Sequence, residues 1–214
     1  MKRIRNILVF ACCTLLLMAL VPAQAEVAAP AAARFSAGDM NVAYVYAGAT
    51  MDEAEAVFGT AESSETVTSG ATDETQTIWH YDGLTLTFSG EDTLIAAEAD
   101  DAAYLGPRGV TVGQTVEEIA AKFYYDINTA SNTVLYTAGY VELLDAQLPP
   151  CGYILLYDDG TYSLNYAAPV KPFDESVLAD PTDYMYEELA LFTVTFNAEG
   201  TAVGYSWVLG PWAE

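Results

Sequence analysis

An eleven-residue segment occurs twice in this chain of 214 residues. Gly48–Phe58 (GATMDEAEAVF) aligns without gaps on Gly113–Phe123 (GQTVEEIAAKF), with five identical positions. A second match, Leu84–Phe88 (LTLTF) on Phe192–Phe196 (FTVTF), lies at an offset of 108 residues instead of 65. Repetition constrains a fold tightly, because each copy must bury an equivalent apolar face. The two offsets differ by 43 residues, so the second copy carries an insertion of that size.

Each eleven-residue segment reads as a short capped helix. Thr50 and Glu53, and again Thr115 and Glu118, have the T-x-x-E spacing of a capping box. In such a box the hydroxyl accepts from an orphan amide and the carboxylate reaches back to the cap. Asp52, Glu53, Glu117 and Glu118 fall in the first turns, where the helix dipole favours acids. Met51, Ala54 and Phe58 share one helix face, as do Val116, Ile119 and Phe123. Gly59 is placed to end the first helix. Tyr124-Tyr125 follows the second, which must end differently.

The second matched pair alternates with period two. Leu84, Leu86 and Phe88 point one way and Thr85 and Thr87 the other; Phe192, Val194 and Phe196 alternate likewise with Thr193 and Thr195. Further strands are expected at 77–81, 93–98, 153–157, 161–166 and 201–208. Turn residues at 82–83, 90–92, 158–160 and 199–200 separate them. The expected fold is α+β, two tandem repeats, each a short capped helical segment packed on an antiparallel β-meander. Repeat 1 spans 39–104. Repeat 2 spans 105–214, with the insertion around 161–190 as a surface excursion holding one helical turn near Glu187-Glu188.

Ahead of the repeats, Lys2, Arg3 and Arg5 precede the apolar run 6–20, and Ala23-Gln24-Ala25 supplies small residues for cleavage. This reads as a secretory signal peptide over 1–25, followed by a flexible linker over 26–38. The expected location is secreted or extracytoplasmic. The whole chain carries 30 acids against 7 basic residues, a net charge of −23. Without residues 1–25 only Arg34, Arg108, Lys122 and Lys171 offset the acids, and the charge becomes −26. Such a field repels nucleic acid and anionic membrane surfaces and attracts basic proteins. Cys12 and Cys13 leave with the signal, so the processed chain keeps Cys151 alone and forms no internal disulfide.

Two runs, Tyr81-Asp82-Gly83-Leu84 and the GVTVGQT stretch from Gly109 to Thr115, carry a family likeness across nearly the whole processed chain. Glycine, capped helix ending in Phe, loop, Tyr-Asp-Gly and meander together resemble the repeat of the β-lactamase-inhibitor-protein fold. The pattern is also similar to the small SmpA/OmlA envelope lipoprotein domain. The resemblance implies tandem helix-plus-sheet domains whose sheets join into a concave protein-binding surface.

Catalytic constellations are weak. His80 sits between Trp79 and Tyr81 in an expected strand, without a nucleophile motif nearby. One His and one Cys are too few soft ligands for zinc, and no cofactor motif occurs. Cys151 follows Pro149-Pro150 and reads as a buried thiol opening a strand. Carboxylate doublets occur at Asp100-Asp101, Asp158-Asp159, Asp174-Glu175 and Glu187-Glu188. Asp158-Asp159-Gly160 is the best calcium candidate but reads better as a hairpin turn. The expected function is that of a non-enzymatic protein-binding module, inhibitor-like or envelope-associated. The alternatives are a secreted hydrolase using paired carboxylates and a low-affinity calcium-binding protein. The expected contact surface is the sheet face opposite the helices, with Thr85, Thr87, Thr193 and Thr195 beside Trp79 and Trp207. Its expected partner is another protein, basic in charge.

Overall fold

The computed structural model describes residues 33–68, 75–126, 133–141, 146–171 and 188–211. The expected signal peptide, the first part of the expected linker and most of the expected excursion, with Asp174-Glu175 and Glu187, lie outside them.

Both helices start where their caps dictate. In α1 (Met51–Phe58) the Thr50 hydroxyl accepts from the Glu53 N–H, and the Glu53 carboxylate accepts from the Thr50 N–H at 2.8 Å. In α2 (Val116–Ala120) Thr115 and Glu118 repeat both contacts. The apolar stripes turn inward: Ala54, Ile119 and Phe123 are buried, and Met51, Phe58 and Val116 pack against the core. Gly59 ends α1 at φ +76°, a conformation that glycine adopts without steric cost. Lacking a glycine, α2 ends in tighter turns, with the Lys122 N–H donating to Ile119 O and the Phe123 N–H to Ala120 O.

The approach to each helix is tied down in the same way. The Gly48 N–H donates to Leu94 O and the Leu94 N–H to Ala49 O. Around the second helix the Gly113 N–H donates to Ala202 O and the Ala202 N–H to Gln114 O. Thr50 bridges Thr93, and Thr115 bridges Thr201.

A hairpin of β1 (Asn41–Val42) and β2 (Val45–Tyr46) precedes α1. Between the helices run β3 (Ser63–Thr68), β4 (Thr75–Tyr81), β5 (Leu84–Phe88) and β6 (Leu94–Ala99). After α2 come β7 (Val134–Tyr136), a small hairpin of β8 (Gly139–Val141) and β9 (Ala146–Leu148), then β10 (Cys151–Leu156), β11 (Tyr162–Pro169), β12 (Glu188–Phe196) and β13 (Ala202–Pro211). Nine strands form one antiparallel sheet in the order β3-β4-β5-β6-β13-β12-β11-β10-β7. The fold is therefore α+β, with few helices on one large antiparallel sheet. The expected strands are present, extended at several ends; β1 to β3 and β7 to β9 were not expected.

Leu84, Leu86, Phe88, Phe192, Val194 and Phe196 are all buried on one face of this sheet. The helices, Phe35, Met40, Val42 and Val45 cover that face. At the centre β6 pairs with β13, which sets Ala97 beside Trp207 and Ala99 beside Tyr205. Small residues on one strand leave room for the large rings on the next.

Two expectations about organisation need correction. Residues 33–38 are not a flexible linker. Phe35 is only 2% exposed and lies within about 6 Å of the Phe123, Tyr166 and Phe192 rings. The segment is held by Arg108, whose five N–H donors are all used. Its Nε and Nη2 grip the two Asp39 carboxylate oxygens at 3.0 and 2.8 Å, and Nη1 and Nη2 reach the carbonyls of Ala33, Arg34 and Lys122. The guanidinium also lies 4.9 Å from the Phe123 ring centroid. Nor does a single excursion begin at 161, because 162–169 form β11 inside the sheet. The extra residues enter in two places, between α2 and β10 and between β11 and β12, and Glu188 opens β12.

Arg108→Ala should lower stability by about 3 kcal/mol in urea denaturation, because Asp39 and three carbonyls lose their half-buried donor. Arg108→Lys should recover little of that loss, since an ammonium cannot reproduce the planar fork. A second expected change concerns the β1–β2 turn, where Ala43 (φ +46°) and Tyr44 (φ +69°) occupy the left-handed region consecutively. Replacing this pair with Asn-Gly should raise stability by about 1–2 kcal/mol in the same assay.

Candidate functional site

The face opposite the core is organised by strand register into rows. Side chains of directly paired residues lie on the same side of a sheet. One row runs Ser63, His80, Thr85, Glu98 across β3 to β6. It continues as Ser206, Thr193, Asn165, Tyr153 across β13 to β10. All eight residues are polar or amphipathic. The next row runs Ile78, Thr87, Ala96 on the first half and Val208, Leu191, Ala167 on the second. Its end on β3 is Glu65; apart from Glu65 and Thr87 it is apolar. A polar row and an apolar row thus lie side by side across the joined halves of the sheet.

Exposure divides this double row. From β4 to β12 its members are half-buried or exposed, with Glu98 exposed and Val208 at 38%. Over β11 the same face closes, with Ser163 fully buried and Asn165 and Ala167 nearly so; on β10 Cys151 is buried, Tyr153 half-buried and Leu155 exposed. Buried polar groups there satisfy one another, as they must. The Thr193 hydroxyl donates to Asn165 Oδ1 at 3.0 Å, Asn165 Nδ2 donates to Ser163 Oγ at 2.8 Å, and Tyr157 Oη lies 3.1 Å from Ser163 Oγ. Thr85, Thr87, Thr193 and Thr195 do share the face away from the core. However, Thr193 joins the closed network, and Thr195 pairs with buried Ser163.

Trp79 and Trp207 do not belong to this face. Trp79 pairs with Leu86, on the core side, and its ring lies 4.8 Å from Phe88. Trp207 is 2% exposed, and its indole N–H donates to Asn41 O at 3.1 Å. For Trp79 the signal was present in the sequence. A two-residue turn at Asp82-Gly83 pairs Tyr81 with Leu84, and therefore Trp79 with Leu86. Gly83 is required in that turn, at φ +68° and with a Cβ there reaching within 2.5 Å of Asp101 Cβ.

His80 lies on the polar row, with Nε2 3.4 Å from Glu65 and Nδ1 3.4 Å from the Thr85 hydroxyl. Beside it a depression of about 140 Å³ is lined by Tyr81, Thr85, Glu98 and Asp100. Asp101 Oδ1 accepts from the Ala103 N–H, which places that acid in a turn. Asp158-Asp159-Gly160 forms the hairpin between β10 and β11. Asp159 Oδ1 accepts from the Thr161 hydroxyl at 2.6 Å and from its N–H at 2.9 Å, and these bonds hold the carboxyl below its ordinary pKa. Among the described residues no three His, Cys, Asp or Glu side chains are grouped to hold a metal ion. No helix among them is long and apolar enough to cross a membrane.

A second concave feature had no sequence signal. Tyr44 and Tyr46, 75% and 52% exposed, flank a groove of about 430 Å³ with Asn41, Leu105 and Gly106. Arg108 lines it too, but its donors are already engaged.

Comparison with protein-family models, curated proteins and solved structures finds no match.

Cys151 ends the apolar row, where burial pushes its thiol pKa up to about 12, partly offset by a hydrogen bond with the Ala167 backbone. The folded state favours the neutral thiol. Its contribution is fully present below the ordinary value of 9.0 and is lost as pH rises toward about 12. At about pH 8, iodoacetamide should label native Cys151 at least about a hundredfold more slowly than the urea-unfolded chain.

Proposed function

We propose that this protein is an exported, acidic, non-enzymatic protein-binding module. Its contact surface is the exposed part of the double row on β4, β5, β6, β13 and β12. One observation carries the reading: a polar and an apolar row run side by side, uncovered, on a sheet whose other face is already filled. An uncovered amphipathic surface of this kind suits a partner better than solvent. The acid excess selects a basic partner and speeds encounter with it. The basic, apolar and small-residue pattern of 1–25 supports export. The matched lead-ins to α1 and α2 favour reading the halves as copies of one unit, as the likeness to the β-lactamase-inhibitor-protein repeat implies. That likeness also favours an inhibitor-like or envelope-associated role.

The test is affinity capture from the native envelope and medium, comparing the processed protein with a Thr87→Arg, Val208→Arg double variant. Both side chains project from the apolar row, so the melting temperature should change by no more than about 3 °C. The wild type should retain a basic protein that the variant loses, and retention should weaken with salt. Identical capture by both proteins would exclude this face.

A further inference from the structure

The two edges of the large sheet are built differently. β7 is three residues long, and its pairing with β10 shifts register between Gly152 and Tyr153. Shortness and irregularity are common ways of keeping a sheet edge from recruiting another strand. β3 uses neither. It pairs with β4 over six consecutive positions, Ser63 to Thr68, without a register shift. Among the described residues no strand lies on its outer side, and five of its six residues are exposed. It contains no proline, lysine or arginine, the other usual guards of an edge. Its one charge, Glu65, shares the open face with Ser63 and Val67 and lies 3.4 Å from His80. Thr66, Val67 and Thr68 are β-branched and suited to a paired strand.

We propose that β3 is a docking edge that takes an extended, lysine- or arginine-bearing segment of another protein as a further strand of the sheet. Main-chain hydrogen bonds supply the attachment and cross-strand neighbours supply the selectivity. On the open side the added strand meets Ser63, Glu65 and Val67, so a basic residue opposite Glu65 is favoured. On the other side it meets Ser64, Thr66 and Thr68, which suit β-branched neighbours. Charge decides against a second copy of this chain as the occupant, because each copy carries −23. The main-chain edge of β3 adjoins the contact surface of the proposed function, which begins at β4, and either can fail alone.

The probe is a capped heptapeptide alternating lysine and valine, added to the full chain at low salt. Amide hydrogen exchange at residues 63–68 should slow about tenfold, while amides of β12 stay unchanged. Protection should fall in about 0.5 M salt and be absent with a glutamate–valine peptide. Thr66→Pro and Val67→Pro separate docking from folding, because adjacent residues of a strand aim their N–H groups in opposite directions. One of these prolines should loosen β3 from β4; the other should abolish peptide protection and leave the melting temperature unchanged. Absence of protection, equal protection by the acidic peptide, or full protection in both proline variants would overturn the proposal. Protection appearing at Thr87, Ser206 and Val208 instead would also overturn it and move the peptide to the open face. Salt-stable dimerisation lost with the same prolines would make a second copy the occupant and overturn the basic partner.

Discussion

One guanidinium bridges parts of this chain that lie far apart in sequence. Arg108 uses all five of its donors on Asp39, Ala33, Arg34 and Lys122, and its plane lies over Phe123. The result is a clasp between the segment before β1 and the end of α2. Once clasped, Phe35 enters an aromatic cluster with Phe123, Tyr166 and Phe192, three rings from the second half of the chain. The clasp also accounts for the backbone of Arg108 itself, which sits in the left-handed region at φ +55°. That conformation costs about 1–2 kcal/mol, less than the bidentate pair and the three carbonyl bonds return. In so acidic a chain this cation is structural rather than a ligand-binding charge.

Filling one face of the sheet determines what remains for the other. The helices, Phe35 and the β1–β2 hairpin all pack on the side of Leu86 and Phe192. Because β6 pairs directly with β13, the run β3 to β6 and the run from β13 to β7 join in one sheet, and residues from both fall into common rows. Exposure then restricts the usable surface. Ser163, Asn165 and Ala167 are buried on the β11 part of this face, whereas the stretch around Thr87, Glu98 and Val208 stays accessible.

Local chemistry was legible wherever it was self-contained. Both capping boxes, both apolar stripes, the Leu84–Phe88 and Phe192–Phe196 alternations and the hairpin turns could be read from neighbouring residues alone. β3 was not legible, because Ser63, Ser64 and Glu65 give no apolar alternation at an edge that buries little. Nor was the left-handed pair Ala43-Tyr44, which lacks the Asn or Gly that usually marks such a turn. Trp79 was misplaced although the Asp82-Gly83 turn already specified its side. Trp207 was beyond such reasoning, since the β12–β13 pairing shifts register between Thr195 and Phe196 and so changes which side chains face the core.

Sequence by itself determined the secondary structure of both repeated segments, the acid excess and the α+β class, because each depends on residues within a few positions of one another. Tertiary structure alone decided three things. It placed Phe35 in the core, by joining residues about 70 positions apart through Arg108 and Asp39. It merged the two halves into one sheet through β6 and β13. It also buried the β11 part of the face opposite the core. Each of these rests on contacts between distant segments, whose partners are specified only when the whole apolar surface is buried together.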